Sequence, residues 1–223
     1  MPQSRFRGFP PQTVEFYERL AADNTRAFWQ AHRAEYDGYV RAPMETLAAE
    51  LSDEFGPMHL FRPHRDIRFS KDKTPYKVHQ GGVTEGEGGE VYYCHVSADE
   101  LLAASGYYMM APDQLERFRT AVADDHSGPL LDEAVATTAR AGLSISGTNE
   151  LKTAPRGYPK DHPRIRFLRM KGLTASRSWP PRRWWNSREV VARIAGTWRE
   201  ARPVNDWLGR YVGPSELPPR EAR

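Results

Sequence analysis

The densest group of chemically useful side chains in this sequence lies between residues 65 and 77. The segment holds five cations, two carboxylates, two hydroxyls and one tyrosine. Guanidinium and ammonium groups bind phosphates and carboxylates, and hydroxyls and backbone N–H groups supply further donors to an anion. An anion-binding site is therefore predicted here. Its expected members are Arg65, Asp66, Arg68, Ser70, Lys71, Asp72, Lys73, Tyr76 and Lys77.

The first half of this segment has the alternation of a strand. Ile67 and Phe69 share one face over residues 65–70, so Arg68 and Ser70 share the other face. The pattern then breaks into a polar loop, and a strand that leads polar groups into a loop is a typical place for a binding site. The alternative is structural, because the arginines could pair with the neighbouring aspartates and fix the loop.

The net charge of +3 conceals two basic segments. Residues 62–77 carry a local charge of +4 and residues 150–188 carry +9, which leaves −10 on the rest of the chain. If the two segments meet in the folded chain, they form a positive field that attracts an anionic partner. The alternative is two solvated faces with unrelated arginines. In the second segment, Arg156, Tyr158 and His162 offer a charge, a ring and a titratable group.

Several familiar motifs are excluded by their spacing. His64-Arg65-Asp66 matches the start of a protein-kinase catalytic loop, but Lys71 stands where that loop needs an asparagine. The glycines between residues 86 and 89 lack the spacing of nucleotide-binding loops. No histidine or carboxylate spacing matches a metal-ligand motif. Cys94 lies in a predicted strand, where a buried cysteine acts as a small apolar residue. Neither a metal nor a cofactor is expected.

The pattern of apolar residues predicts one α+β domain over residues 1–223, with a flexible tail from about residue 214. Helical spacing marks the N-terminal, middle and C-terminal segments, and Asn24 is predicted to cap a helix. These helices are expected to pack on a mainly antiparallel sheet. The glycine-rich residues 81–90 are predicted to form a flexible loop. The predicted strands are 58–62, 65–70, 91–97, 101–109 and 170–178.

Composition limits the class of protein. The hydrophobic fraction of 39% is typical of a globular chain and argues against disorder. The first residues contain no apolar run, so neither a signal peptide nor a transmembrane helix is predicted, and no membrane partner is expected. The single cysteine excludes an intrachain disulfide. The expected compartment is the cytoplasm.

Three motifs stand in order along the chain. They are Asn24-Thr25-Arg26-Ala27-Phe28-Trp29, the whole of residues 65–77, and Pro155-Arg156-Gly157-Tyr158 followed by Asp161-His162-Pro163 and Lys171. Together they resemble an uncharacterised family of bacterial and fungal proteins, the domain of unknown function family 2461. The resemblance spans nearly the whole chain and implies a single α+β domain, without a reaction or a cofactor. Thr25 departs from the family pattern, in which a second asparagine is expected.

The leading hypothesis is the binding of an anionic, phosphate-bearing ligand. The predicted site is a basic cleft formed by residues 65–77 and 152–171, in which Lys171 is a further cation. Tyr76 or Tyr158 would supply a ring that stacks on the ligand.

Two alternatives remain open. The chain could be a nucleic-acid-binding module, in which Arg182-Arg183-Trp184-Trp185 combines backbone contacts with base stacking. It could also be an enzyme that acts on a phosphorylated substrate, with Asp66, Asp72 or His162 as the proton-transfer group.

Overall fold

A computed structural model describes residues 5–68, 72–86 and 88–218 of the chain. The described helices are α1 (Pro11–Ala22), α2 (Arg26–Ala31), α3 (Arg33–Tyr36), α4 (Ala42–Phe55), α5 (Pro112–Ala123), α6 (Ser127–Arg140), α7 (Ile165–Leu168), α8 (Glu189–Glu200) and α9 (Arg202–Tyr211). A proline stands at the first or second position of α1, α4, α5 and α9, where its missing N–H would have no partner within the helix. A π-helical turn, Asp37–Arg41, joins α3 to α4, and a 3₁₀ helix, Arg183–Asn186, precedes α8.

The described residues contain the strands β1 (His59–Leu60), β2 (His79–Glu85), β3 (Val91–Ser97), β4 (Leu101–Tyr107), β5 (Ser144–Gly147) and β6 (Leu173–Trp179). They form one antiparallel sheet in the order β1-β2-β3-β4-β6-β5. β1 pairs with β2 through His59 opposite Val83, and β5 pairs with β6 through Ser144 opposite Ser176. Helices and an antiparallel sheet in one chain confirm the predicted α+β class.

The prediction of a flexible loop over residues 81–90 is wrong for its first half, because β2 runs through the glycine pair. A Cβ atom on Gly81 would lie 2.9 Å from the hydroxyl of Tyr93, and one on Gly82 would lie 2.6 Å from Leu60 Cδ2. These glycines therefore make room for side chains of the neighbouring strands, which is a typical role of glycine inside a sheet.

The prediction of a strand over residues 65–70 is wrong. Its described part is loop, with a bridge from His64 to Tyr76 beside it. One strand was not predicted, because the Ser-Ile-Ser-Gly sequence of β5 has no strand signal. Phe69 and residues 219–223 of the predicted tail lie outside the described residues.

The chain divides into two compact units, each with its own apolar core. The first unit contains the predicted loop 65–77, and the second contains residues 152–171. The first unit comprises Met1–Thr84, Tyr93–Ala103 and Ser178–Gly196, and the second comprises Glu85–Tyr92, Ala104–Arg177 and Thr197–Arg223. No helix in the described part of the chain has both the length and the apolar character to span a membrane.

A largely aromatic cluster forms part of the core of the first unit. Its buried members are Phe16, Tyr17, Leu20, Phe28, Trp29, Tyr36, Val40 and Tyr76. In the second unit, α5, α6, α7 and α9 pack around a larger core that includes Phe118, Leu131, Phe167, Trp207 and Leu208.

Candidate functional site

The basic loop of the first unit leaves and re-enters the fold at one narrow point. The Arg65 N–H donates to the Pro75 carbonyl at 2.9 Å, and the Lys77 N–H donates to the Pro63 carbonyl at the same distance. These bonds flank the antiparallel bridge between His64 and Tyr76. The base of the loop is therefore fixed, and so is the backbone of Lys77.

Tyr76 is held at this base by the N-terminal motif. Asn24 donates its side-chain amide to the Tyr76 carbonyl at 3.0 Å and accepts the Tyr76 N–H at 3.1 Å, as a neighbouring strand would. The Trp29 ring stacks on the Tyr76 ring at 4.4 Å and 11°. The first two sequence motifs thus form one structural element.

The prediction that Asn24 caps a helix is wrong, because its amide is used on Tyr76. The cap of α2 is Thr25, whose hydroxyl accepts the Phe28 N–H at 3.2 Å. Threonine is a good N-cap residue, so the departure from the family pattern at this position is accommodated locally.

The arginines in the loop pair with its own aspartates. Arg68 contacts Asp66 with two nitrogens, at 3.0 Å through Nε and 2.7 Å through Nη2, and this hydrogen bonding lowers the pKa of Asp66 to about 2. Arg65 forms an ion pair with Asp72. These two arginines therefore pair with neighbouring aspartates, as the structural alternative for this segment predicted. Their charge is compensated within the loop.

The remaining predicted members of the loop also act locally where they are described. Asp72 accepts hydrogen bonds from the backbone and the hydroxyl of Thr74, at 2.9 and 2.8 Å. The ammonium group of Lys73 donates to the Ile67 carbonyl at 2.9 Å. Ser70 and Lys71 lie outside the described residues.

A pocket of about 570 Å³ opens beside the base of the loop, and its lining residues all belong to the first unit. Four cations and one carboxylate line it, together with apolar and aromatic side chains. Its lining residues are Arg33, Tyr36, Arg41, Glu45, His59, Leu60, Phe61, Arg62, Pro63, Lys77 and Gln80.

The four cations differ in how their charge is compensated. Arg33 lies 3.0 Å from Asp37, and Arg41 lies 2.8 Å from Glu45. Arg62 and Lys77, in contrast, have no carboxylate oxygen within 4.0 Å among the residues that the structure describes. The cations without an ion-pair partner therefore lie in the segments that follow β1 and precede β2, where Asp66 interacts with Arg62 over a longer distance.

The environment of Lys77 disfavours its charged form. Burial lowers the pKa of Lys77, and Arg62 and Arg65 lower it further. Its ammonium nitrogen lies 5.1 Å from the centre of the Phe61 ring, a cation–π distance. A bound anion would stabilise this ammonium group because it would supply the missing counter-charge.

The inner wall of the pocket is a closed polar network. The Tyr36 hydroxyl donates to Gln80 Oε1 at 2.6 Å, and Gln80 Nε2 donates to the carbonyls of Phe61 and Gly81 at 2.9 and 3.0 Å. Burial raises the pKa of Tyr36 to about 12, so this hydroxyl stays protonated and remains a donor. The network fixes β2 and the segment after β1 against α3.

Two histidines lie side by side on β2 and β3. The rings of His79 and His95 are 5.0 Å apart, and the Tyr93 hydroxyl lies 3.0 Å from His95 Nδ1. Burial lowers the pKa of each histidine to about 4. The contact of His95 Nε2 with Glu100, at 3.3 Å, is therefore made by a neutral imidazole at pH 7 and is not an ion pair.

Because the pKa values of His79 and His95 are lowered in the folded protein, we expect the protein to lose stability in mild acid. The unfolded chain, with histidine pKa values near 6.5, binds protons between about pH 6.5 and 4 that the folded chain does not bind. Stability is therefore complete above pH 6.5 and falls as the pH decreases towards 4. Each histidine contributes at most about 1.4 kcal/mol per pH unit, and partial exposure of His79 reduces its share.

Urea unfolding at pH 7, 6 and 5 measures this effect. The wild type should lose more stability across the series than the double variant His79→Gln/His95→Gln. His126→Gln, which removes an exposed histidine, should follow the wild type. Parallel curves for the wild type and the double variant would contradict the assignment.

The second basic segment begins with a tight turn. The Tyr158 N–H donates to the Pro155 carbonyl at 3.2 Å, and Gly157 adopts a φ of +90° that a type II turn requires at this position. Arg156 is exposed at the tip of the turn, whereas Tyr158 is half-buried against the core of the second unit.

The other predicted members of this segment make local contacts. His162 accepts the Arg164 N–H through Nδ1 at 3.0 Å. The backbone of Lys171 is bonded on both sides, to Thr148 at 3.1 Å and to Met110 at 3.0 Å. These residues shape the segment, and its ligand-binding role stays a prediction.

Several arginines of this segment are structural. Arg164 is 8% exposed and donates to the carbonyls of Val122, at 2.6 Å, and Asp124, at 3.2 Å. Arg169 donates to the Leu151 carbonyl. Some of the arginines that give residues 150–188 their charge of +9 therefore bind backbone carbonyls of the protein.

Sequence reasoning missed three of the four cations in the pocket. Arg33 and Arg41 stand four residues before and after Asp37, which is the usual spacing of surface ion pairs on a helix and gives no sign of a pocket. Arg62 contributes to the sequence argument only through the net charge of residues 62–77. It lies near Lys77 in the fold because the backbone bonds at the base of the loop bring the two segments together.

The described ranges were also compared with the geometry of metal sites and reactive thiols. No group of three or more His, Cys, Asp or Glu residues there could hold a metal ion. Cys94 is buried, and burial raises the pKa of its thiol to about 12.

The comparison with known families agrees with the three motifs. The model of a conserved hypothetical protein family, DUF2461, matches residues 12–207. No curated protein matches the sequence. The match covers most of the chain, including both basic segments and the walls of the pocket. The chain therefore belongs to the conserved hypothetical protein family DUF2461.

Proposed function

We propose that this protein binds a phosphate-bearing anionic ligand in the pocket at the base of the basic loop. One observation carries the proposal: Arg62 and Lys77 line a common pocket without a carboxylate partner among the described residues. The two arginines of the loop, in contrast, are compensated within it, because Arg65 pairs with Asp72 and Arg68 pairs with Asp66.

Electrostatics favour an anion at this position. Two nearby cations raise each other's free energy, and the lowered pKa of Lys77 reflects this together with burial. A phosphate group can accept hydrogen bonds from a guanidinium and an ammonium at once, and charge-assisted bonds of this type are stronger than neutral ones. The planar guanidinium of Arg62 suits two phosphate oxygens, whereas Lys77 acts as a point charge.

The proposal moves the site relative to the sequence prediction. Of the predicted residues it retains Lys77, and it adds Arg33, Arg41 and Arg62. Arg65 and Tyr76 support the base of the loop rather than line the pocket. The predicted residues of 152–171 belong to the second unit and are not needed for it.

Titration calorimetry with inorganic phosphate tests the proposal. Two charge-assisted hydrogen bonds correspond to a Kd on the order of 1 mM. We expect Arg62→Gln and Lys77→Gln each to weaken binding by roughly tenfold or more. The matched control is Arg26→Gln, an exposed arginine of the same unit outside the pocket, which should bind like the wild type.

Two results would count against the proposal. One is the absence of phosphate binding by the wild type. The other is an equal loss in all three variants, because a general effect of positive charge would explain it without a site.

Nucleic-acid binding is the less supported alternative. In the Arg182–Trp185 cluster, Trp185 is buried, and Trp184 already contacts Arg193 at 4.4 Å and Trp179 at 5.7 Å. These rings are therefore engaged within the protein, whereas base stacking needs a free aromatic face. Binding of an oligonucleotide that weakens steeply with salt, and that survives Lys77→Gln, would favour this alternative.

A further inference from the structure

The pocket is much larger than a phosphate group. A water molecule takes about 30 Å³ of liquid, so a phosphate with five heavy atoms fills on the order of 100 Å³. The pocket has about 570 Å³, which lies in the range of sites for small organic molecules. A bound phosphate group therefore leaves most of this volume free for the rest of a larger ligand.

The two walls of the pocket differ in charge. We call residues 59–63 and 77–80, in and next to β1 and β2, the strand wall; it carries Arg62 and Lys77, which have no ion-pair partner among the described residues. The helix wall is formed by Arg33, Tyr36, Arg41 and Glu45, and there Arg41 contacts both Glu45, at 2.8 Å, and Asp37, at 4.0 Å. A phosphate is therefore favoured at the strand wall, and a second phosphate would meet the Glu45 carboxylate at the helix wall.

The helix wall also offers a hydrogen-bond acceptor to a ligand. Glu45, which lines the pocket, is exposed and uses one oxygen on Arg41. Carboxylate oxygens accept several hydrogen bonds each, so this wall suits hydroxyl or amino groups of a ligand.

Apolar and aromatic side chains lie between the charged groups. Phe61 is half-buried and contacts the exposed ring of His59 edge-on at 6.2 Å, and Leu60 and Pro63 line the same part of the pocket. Small-molecule sites typically combine such an apolar lining with a few polar groups that orient the ligand.

Resting on the proposed function, we propose that the ligand is a ring compound with a single phosphate group and with hydroxyl or amino donors. Its phosphate binds Arg62 and Lys77, its ring lies against Phe61, and its donors face Glu45. A nucleoside monophosphate and a sugar monophosphate share this chemistry and fit the volume.

Calorimetry with five probes tests the ligand class. The probes are inorganic phosphate, AMP, glucose 6-phosphate, adenosine and ATP. We expect AMP or glucose 6-phosphate to bind at least tenfold more tightly than inorganic phosphate. Adenosine should bind weakly because it lacks the charge, and ATP should bind less tightly than AMP because its outer phosphates approach the helix wall.

Glu45→Gln gives a sharper test because its effects have opposite signs. The variant loses a carboxylate acceptor, so binding of the preferred monophosphate should weaken by roughly tenfold. The same change frees Arg41, so ATP and inorganic phosphate should bind as tightly as before or more tightly. Glu18→Gln, an exposed carboxylate of the same unit outside the pocket, is the matched control.

The outcomes separate the two proposals. Binding of inorganic phosphate with no gain for AMP or glucose 6-phosphate would overturn the ligand class and leave the phosphate site intact. Tighter binding of ATP than of AMP would also overturn it. If no phosphorylated probe binds, the ligand class and the proposed function both fail.

Discussion

Replacing Trp29 with alanine is expected to cost about 3–5 kcal/mol of the free energy of unfolding, as large-to-small changes of buried aromatic residues do. Trp29 is 5% exposed, stacks on Tyr76 and lies 4.7 Å from Tyr36. The variant loses a buried ring and leaves a cavity between these two tyrosines. Because Tyr36 lines the pocket and Tyr76 precedes Lys77, phosphate binding should weaken as well.

Urea unfolding of Trp29→Ala and of Tyr39→Ala measures this loss. Tyr39 is 38% exposed, so its truncation should cost much less. For a chain of this length, 1 kcal/mol corresponds to about 2–4 °C, so the melting temperature of Trp29→Ala should fall by roughly 10 °C. A loss below about 1 kcal/mol would show that the stacked pair does not hold the loop.

Arg164→Leu is expected to destabilise the protein by about 3 kcal/mol. The substitution keeps an apolar stem but leaves the buried carbonyl of Val122 without its charged donor, and the carbonyl of Asp124 loses the same partner. Arg156→Gln, in the same basic segment, removes an exposed charge and should change stability by less than about 0.5 kcal/mol.

Denaturant unfolding of these two variants tests whether the second basic segment is partly structural. The expected result is a large loss for Arg164→Leu alone. Similar small losses of stability in both variants would contradict this interpretation. They would mean that the buried guanidinium group of Arg164 contributes little to the free energy of unfolding.

The class of fold follows from local patterns. Apolar residues at helical spacing after Pro11, Pro43 and Pro112 mark real helices, and the β-branched and aromatic residues of 91–97 mark a real strand. These signals depend on residues close together in the chain. The family resemblance implies the same α+β class, and the match to the family model confirms that resemblance.

β2 could not be predicted because the residues that explain its two glycines lie in other segments of the chain. Gly81 and Gly82 resemble a flexible loop in isolation, and only the side chains of Tyr93 and Leu60 show why a larger residue would not fit. The role of Asn24 was hidden for the same reason, since its partner is the backbone of Tyr76, 52 residues away.

The proposed pocket coincides only in part with the segment that the sequence singles out. Charge density points to residues 65–77, but local ion pairs use Arg65 and Arg68. The pocket forms where the base of this loop meets Arg33 and Arg41. Such a meeting depends on long-range packing, and residue spacing does not encode it.

A crystal soaked in tungstate, a heavy mimic of phosphate, tests the central claim most directly. The expected result is an anomalous peak from a tungsten atom in the pocket. The oxygens of this tungstate should lie about 3 Å from both the Arg62 guanidinium and the Lys77 ammonium group. An anion bound only elsewhere on the protein, with these two cations uncontacted, would contradict the claim.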